Sequence, residues 1–155
     1  MKLADLLKEG QIQVDLSARD KWEALTRLLD LLIAQGRLKE EARPAAYQAL
    51  VAREKVSSTG MEFGVALPHA SLEGLEQPLA ALGLSPQGVP FQSPDGQASR
   101  IIVLLLIPHR DRLKHTPTLA SIARLLQYEE TREALTRARS AREAMQVVKD
   151  EDART

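Results

Sequence analysis

Three histidines and no cysteine make imidazole the side chain of this chain best suited to nucleophilic chemistry near neutral pH. His69 stands out among them. It follows Pro68, which ends the short apolar run Val65, Ala66 and Leu67, and that run is led in by Ser57, Ser58, Thr59, Gly60 and Gly64. Proline cannot donate to a sheet ladder and belongs at a strand end or edge, so the stretch reads as loop, strand, stop, reactive group. To attack, the ring must be neutral, because protonated imidazole has no free lone pair. The plainer reading is an idle polar residue on a loop. A zinc site would need His69, His109 and His115 to converge with an acidic helper, and no acidic residue has a telling spacing, so no metal is expected.

The whole chain narrows the classes of function. At 155 residues and 44% hydrophobic composition it fits one domain, residues 1–155, with a single core. Twenty-one basic residues balance 21 acidic ones, leaving no overall field for nucleic acid or an anionic membrane. The lack of cysteine excludes thiol chemistry and a disulfide framework. Residues 1–10 are amphipathic rather than a signal peptide, and no apolar stretch of about 18 residues is present to insert in a membrane. A soluble, cytoplasmic protein without a cofactor is expected.

The elements that must position these residues follow from periodicity. Leu3, Leu6 and Leu7 share a helical face that Gly10 stops, and Ile12, Val14 and Leu16 alternate with polar residues as in a half-buried strand. After a capping arrangement of Ser17 and Asp20, Trp22, Leu25, Leu28, Leu29, Leu32 and Ile33 recur at helical spacing to Gly36. A second helix, Glu40–Arg53, takes Pro44 into its first turn and delivers Arg53 to the Ser57–His69 stretch. Residues 70–78 read as loop, Leu79–Leu84 as a buried strand, and the Gly and Pro residues of 88–96 as a surface hairpin or bulge around Val89 and Phe91. Ile101–Ile107, all aliphatic and ended by Pro108, predicts a central strand covered on both faces. Then come a charged loop, His109–Lys114, an N-cap at Thr116 and a helix starting at Pro117 with Leu119, Ile122, Leu125 and Leu126 on its apolar face. A helix over Glu130–Arg139 and a last one with the capping box Ser140 and Glu143 end in a frayed tail from Lys149. The interleaving predicts an α/β fold, a single mixed β-sheet of four or five strands flanked by helices.

Several pieces form one ordered set: Asp20-Lys21 with Glu23-Ala24-Leu25, Arg53-Glu54-Lys55, Ser58-Thr59-Gly60, Gly64 through His69, Asp95-Gly96, Ile101 through Pro108, and His115 followed by Leu119-Ala120 and Leu125-Leu126. By these, from about Leu6 to Val148, the chain resembles the enzyme IIA domains of the phosphotransferase system, fructose/mannitol (type 2) family, including the nitrogen-regulatory IIA proteins. The resemblance implies a cytoplasmic phosphocarrier, a phosphohistidine phosphotransferase charged by phospho-HPr or its nitrogen-branch counterpart. Such a protein passes the group to a IIB partner during sugar uptake, or uses it as a regulatory signal. By position the acceptor falls on His69, the second active-site histidine on His115 and the active-site arginine on Arg53. Glu62 stands where relatives usually have glycine, and Ser71 where many have a basic residue.

Phosphoryl transfer asks mainly for positioning and charge stabilisation along an in-line path. Arg53 offers charge-assisted hydrogen bonds, Ser58, Thr59, Gly60 and Gly64 are expected to bind the phosphoryl group, and the glycine-flanked N–H groups suit an anion nest. His115, just before a helix, offers a ring N–H. The plainer alternatives are an ion pair of Arg53 with Glu54 or Glu62, a helix-end role for His115, a loop role for His109 and a solvated face for Arg110–Lys114. The alternative function is a regulatory binding module controlling a transporter or kinase, with phosphorylation as its switch or absent. A third reading keeps the fold only as a scaffold.

Overall fold

Alternation along the longest aliphatic run sets the architecture. In the computed structural model, which describes residues 1–155, β5 (Ser99–Pro108) sends Ile101, Val103, Leu105 and Ile107 into one core cluster and Ile102, Leu104 and Leu106 into another. Successive strand residues point to opposite faces, so a run apolar at every position needs cover on both. One face is covered by α2 (Lys21–Ala34) and α3 (Arg43–Val56). The other is covered by α1 (Leu3–Leu6), α4 (Thr116–Leu125), α5 (Glu129–Arg137) and α6 (Ala141–Arg154). The result is a three-layer α/β/α arrangement with a five-stranded mixed sheet, as expected.

Beside β5 run β4 (Leu79–Val89), antiparallel to it, and beyond that β1 (Ile12–Gln13), parallel to β4. On the other side of β5 lie β2 (Val65–Ala66) and β3 (His69–Leu72), both parallel to it and both at the open edge of the sheet. Pro68 separates the two short strands, and its carbonyl accepts a hydrogen bond from Leu105 N at 2.9 Å, so the chain stays on the sheet while skipping the proline.

Several expectations need correction. Residues 70–72 belong to a strand rather than a loop, so His69, which follows β2 as expected, also opens β3. β4 runs on to Val89 through a register shift after Leu84, and Val89 and Phe91 are fully buried rather than on the surface. The first strand stops after Gln13: Asp15 adopts φ 56°, and this turn moves Leu16 to the core face opposite that of Ile12. The second long helix starts at Arg43, after a 3-10 turn at Glu40–Ala42, and runs past Arg53 to Val56. His109–His115 forms 3-10 turns instead of an open loop, and His115, not Thr116, is the N-cap of α4. α5 spans Glu129–Arg137, displaced from the expected Glu130–Arg139. Ser140 accepts from Glu143 N at 3.1 Å as its pattern demands. The tail stays helical to Arg154, because Asp152 is buried and accepts from Ala4 N at 2.7 Å.

Candidate functional site

His69 is the first residue of the edge strand, and its ring is half-buried. Nδ1 lies 2.8 Å from the Leu67 carbonyl oxygen. A carbonyl only accepts, so in the neutral ring Nδ1 carries the proton and Nε2 keeps its lone pair. Burial holds the pKa of His69 below the ordinary histidine value; the Leu67 hydrogen bond raises it, the Arg53 charge lowers it further and the Glu54 charge opposes that. Desolvation is the largest influence, and it favours the uncharged ring.

This ring stands in an open cleft of about 350 Å³ lined by Ala49 and Arg53 of α3, His69 and Ser71 of β3, Arg112, and Leu119 of α4. The sheet edge makes its floor, with α3 and α4 as its walls. A larger cleft of about 590 Å³, between Gly36–Ala42 and Leu72–Leu79, holds no histidine and shares no lining residue with this one. Arg53 makes neither of the ion pairs weighed for it: Nη1 donates to the Ser57 carbonyl at 2.7 Å. That bond folds the guanidinium back across the end of α3 and leaves its remaining N–H groups beside His69.

Glu54 points the other way, into the interior, where its carboxylate pairs with Lys21 Nζ at 3.2 Å. Their side chains are 1% and 7% exposed, so this charge pair is fully desolvated. The same carboxylate accepts from Thr59 N at 2.8 Å and from the Thr59 hydroxyl. Lys21 also donates to Gln92 Oε1 at 2.8 Å. The pair thus ties α2 and α3 to the loop that leads into His69. Both residues belong to the ordered motif set, but their partnership crosses 33 positions of sequence and no local pattern announces it.

The residues expected to bind the phosphoryl group are spent differently. Thr59 offers its donors to Glu54. The Ser58 hydroxyl donates to Phe91 O and accepts from Gly60 N at 3.0 Å. Gly60 is glycine for close packing, since a Cβ there would lie 2.8 Å from Phe91 O and 2.5 Å from Ser93 Oγ. Gly64 takes φ 74° at the start of β2 and faces Ala98 and Arg100. None of these four lines the His69 cleft. Glu62 is exposed in the turn before β2.

His115 is not in the cleft wall either; it is the N-cap of α4, four residues before Leu119, which is. Its Nδ1 lies 3.3 Å from Thr118 Oγ1. His109, read from sequence as loop, stands beside Ser71 with Nδ1 3.1 Å from its hydroxyl. No three His, Cys, Asp or Glu side chains gather as a metal site, and no helix is long and apolar enough to cross a membrane.

A neutral, desolvated histidine with a free Nε2 thus stands beside an arginine at the edge of this mixed sheet. Residues 5–151 match the family described as phosphoenolpyruvate-dependent sugar phosphotransferase system, EIIA 2, and the chain belongs to that family. It is 30% identical over 150 residues to the nitrogen regulatory protein of Pseudomonas aeruginosa, covering 97% of this chain and 96% of that one. It is 29% identical over 152 residues to the fructose-specific EIIABC component of the PTS system of Bacillus subtilis, and spans 98% of its own length but only 24% of that relative. Among solved structures, the nitrogen regulatory protein IIA-Ntr of Neisseria meningitidis superposes with a TM-score of 0.84 at 28% identity, over 94% of this chain and 98% of that one. The Escherichia coli complex of enzyme IIAMTL with phosphorylated enzyme IIBMTL shares the fold, with a TM-score of 0.76 at 20% identity over 93% of this chain and 97% of that one.

Proposed function

We propose that this chain is a cytoplasmic phosphocarrier whose acceptor is Nε2 of His69. The observation that carries the proposal is the Nδ1–Leu67 hydrogen bond in a desolvated ring, which leaves Nε2 unprotonated in the cleft it shares with Arg53. The lone pair of Nε2 attacks phosphorus in line with the phosphorus–nitrogen bond of a phosphohistidine on an HPr-like carrier. That bond breaks, the donor ring keeps its electron pair, and the new bond forms on His69. The Nδ1 proton stays in place, and the Leu67 carbonyl supports the positive charge the ring acquires. Arg53 meets the phosphoryl oxygens with its free N–H groups. His115 acts from the rim: with the Thr118 hydroxyl donating to Nδ1, its Nε2–H is left to donate towards the same group.

From His69 the group passes to a IIB partner or serves as a regulatory signal; a relative named as a nitrogen regulatory protein along nearly its full length supports the second use. The test is incubation with phosphoenolpyruvate, enzyme I and HPr, followed by 31P NMR. An acid-labile phosphohistidine bonded through Nε2, lost in His69→Ala, is the expected result. An unchanged adduct in His69→Ala, or a bond through Nδ1, overturns the assignment.

A further inference from the structure

Ser71 and His109 belong to no motif that singled out His69, yet they meet beside it. The parallel register pairs Ser71 with Ile107 and Leu72 with Pro108, so His109, the next residue after β5, comes to rest against the end of β3. Arg112, one turn further on, clasps it: Nη1 donates to the His109 carbonyl at 2.9 Å and to its Nε2 at 3.4 Å.

The direction of these bonds is fixed by what each group can do. A guanidinium only donates, so Nε2 of His109 is the acceptor. In the neutral ring the proton is then on Nδ1, which donates to Ser71 Oγ 3.1 Å away. An oxygen already accepting from His109 turns its own O–H elsewhere, and Ser71 makes no other side-chain hydrogen bond within the protein. The direction left is the cleft that Ser71 lines together with His69, Arg53 and Arg112.

We infer that Ser71 is a phosphoryl-binding residue, its hydroxyl aimed at the phosphoryl oxygens on His69 by the relay from Arg112 through His109. This rests on His69 being the acceptor. Residues two apart on a strand share a face, about 6.6 Å apart, a gap that a phosphoryl group on Nε2 spans. His109 and Arg112 are positioning residues: one sets the direction of the Ser71 proton, the other sets the tautomer of His109. The relay gives the position a hydroxyl donor with a defined direction in place of a flexible cation.

Two measurements test it. Long-range 1H–15N NMR of the unphosphorylated wild type should show His109 as the Nδ1–H tautomer, and a predominant Nε2–H form overturns the relay. The equilibrium of phosphoryl exchange with HPr, read by 31P NMR, should move about 10-fold towards phospho-HPr in Ser71→Ala, the size expected for one hydrogen bond to a charged group in an open cleft. Ser71→Thr, which keeps the donor, should stay within about twofold of wild type, and His109→Ala should shift in the same direction as Ser71→Ala. An exchange equilibrium in Ser71→Ala within twofold of wild type overturns the inference while leaving His69 as the acceptor. A wild type that takes up no phosphoryl group from phospho-HPr or from phosphoramidate overturns both.

Discussion

Replacing Lys21 with methionine tests whether the loop before His69 is held by a desolvated charge. Lys21 and Glu54 side chains are 7% and 1% exposed, so removing the ammonium strands a carboxylate that water does not reach. The two hydrogen bonds from Thr59 remain, but neither supplies a countercharge. Breaking a buried pair in this way costs about 3–5 kcal/mol, and the retained Thr59 donors place Lys21→Met near about 3 kcal/mol. For a chain of this length that lowers the melting temperature by about 6–12 °C. Lys21→Met/Glu54→Leu removes both charges and leaves the Thr59 donors unpaired, a cost of about 1–3 kcal/mol. The double variant should therefore be no less stable than Lys21→Met, and far more stable than the sum of the single losses. Urea unfolding at pH 7 followed by far-UV circular dichroism measures all of these. A loss below about 1 kcal/mol in Lys21→Met, with additive single effects, would show that the pair is solvated and that it does not hold the loop.

Three further outcomes follow from the same geometry. His69 should titrate below its ordinary value by NMR, because burial disfavours the charged ring. Above about pH 6.5 the ring is neutral in both folded and unfolded chains and contributes nothing to pH dependence. Between that value and the lowered folded pKa the unfolded chain binds more protons, so stability falls as pH falls, and His69→Gln should lose this part of the slope. Arg53→Ala should slow phosphoryl uptake about 100-fold, the scale of losing one preorganised donor, while the melting temperature stays within about 2 °C because only one bond to the exposed Ser57 carbonyl is lost. Phe63→Asn should stabilise the fold by about 0.5–1 kcal/mol: Phe63 sits at φ 66°, a strain of about 1–2 kcal/mol that Asn relieves, against the loss of its exposed stacking on Arg132 at 4.6 Å, worth about 0.5–1 kcal/mol. Chemical denaturation of the Asn variant measures the balance.

What could be seen in the sequence was what local chemistry decides. The run Ile101–Ile107 announced a strand covered on both faces because no shorter-ranged signal competes with an unbroken aliphatic run. Asp20 and Ser140 capped the helices they precede because their side chains satisfy N–H groups only three residues away. His69 was legible through Pro68. The strand it opens was not, since Ala70-Ser71-Leu72 is short and its pairing with β5 is more than 30 residues distant. Val89 and Phe91 looked exposed because glycine and proline surround them, whereas β4 runs on to Val89 and both side chains join the core cluster shared with α2 and α3. Ser58, Thr59 and Gly60 resembled a cradle for an anion, a composition that equally serves a loop anchored on a buried glutamate. The partnerships of Lys21 with Glu54, and of Ser71 with His109, have no local sequence pattern because they exist only after the layers have closed.

The clasp between the chain's two ends has its own consequence. Asp152 accepts from Ala4 N, and Lys2 Nζ reaches the Asp152 carbonyl at 2.5 Å, so entry and exit lie side by side. A fold with that property behaves as a cassette: a longer polypeptide can carry it between other units with no stretch of linker crossing its body. In the Bacillus subtilis relative the matching segment makes up 24% of the chain. Such a unit can be joined to others at either end without redesigning its core or its sheet.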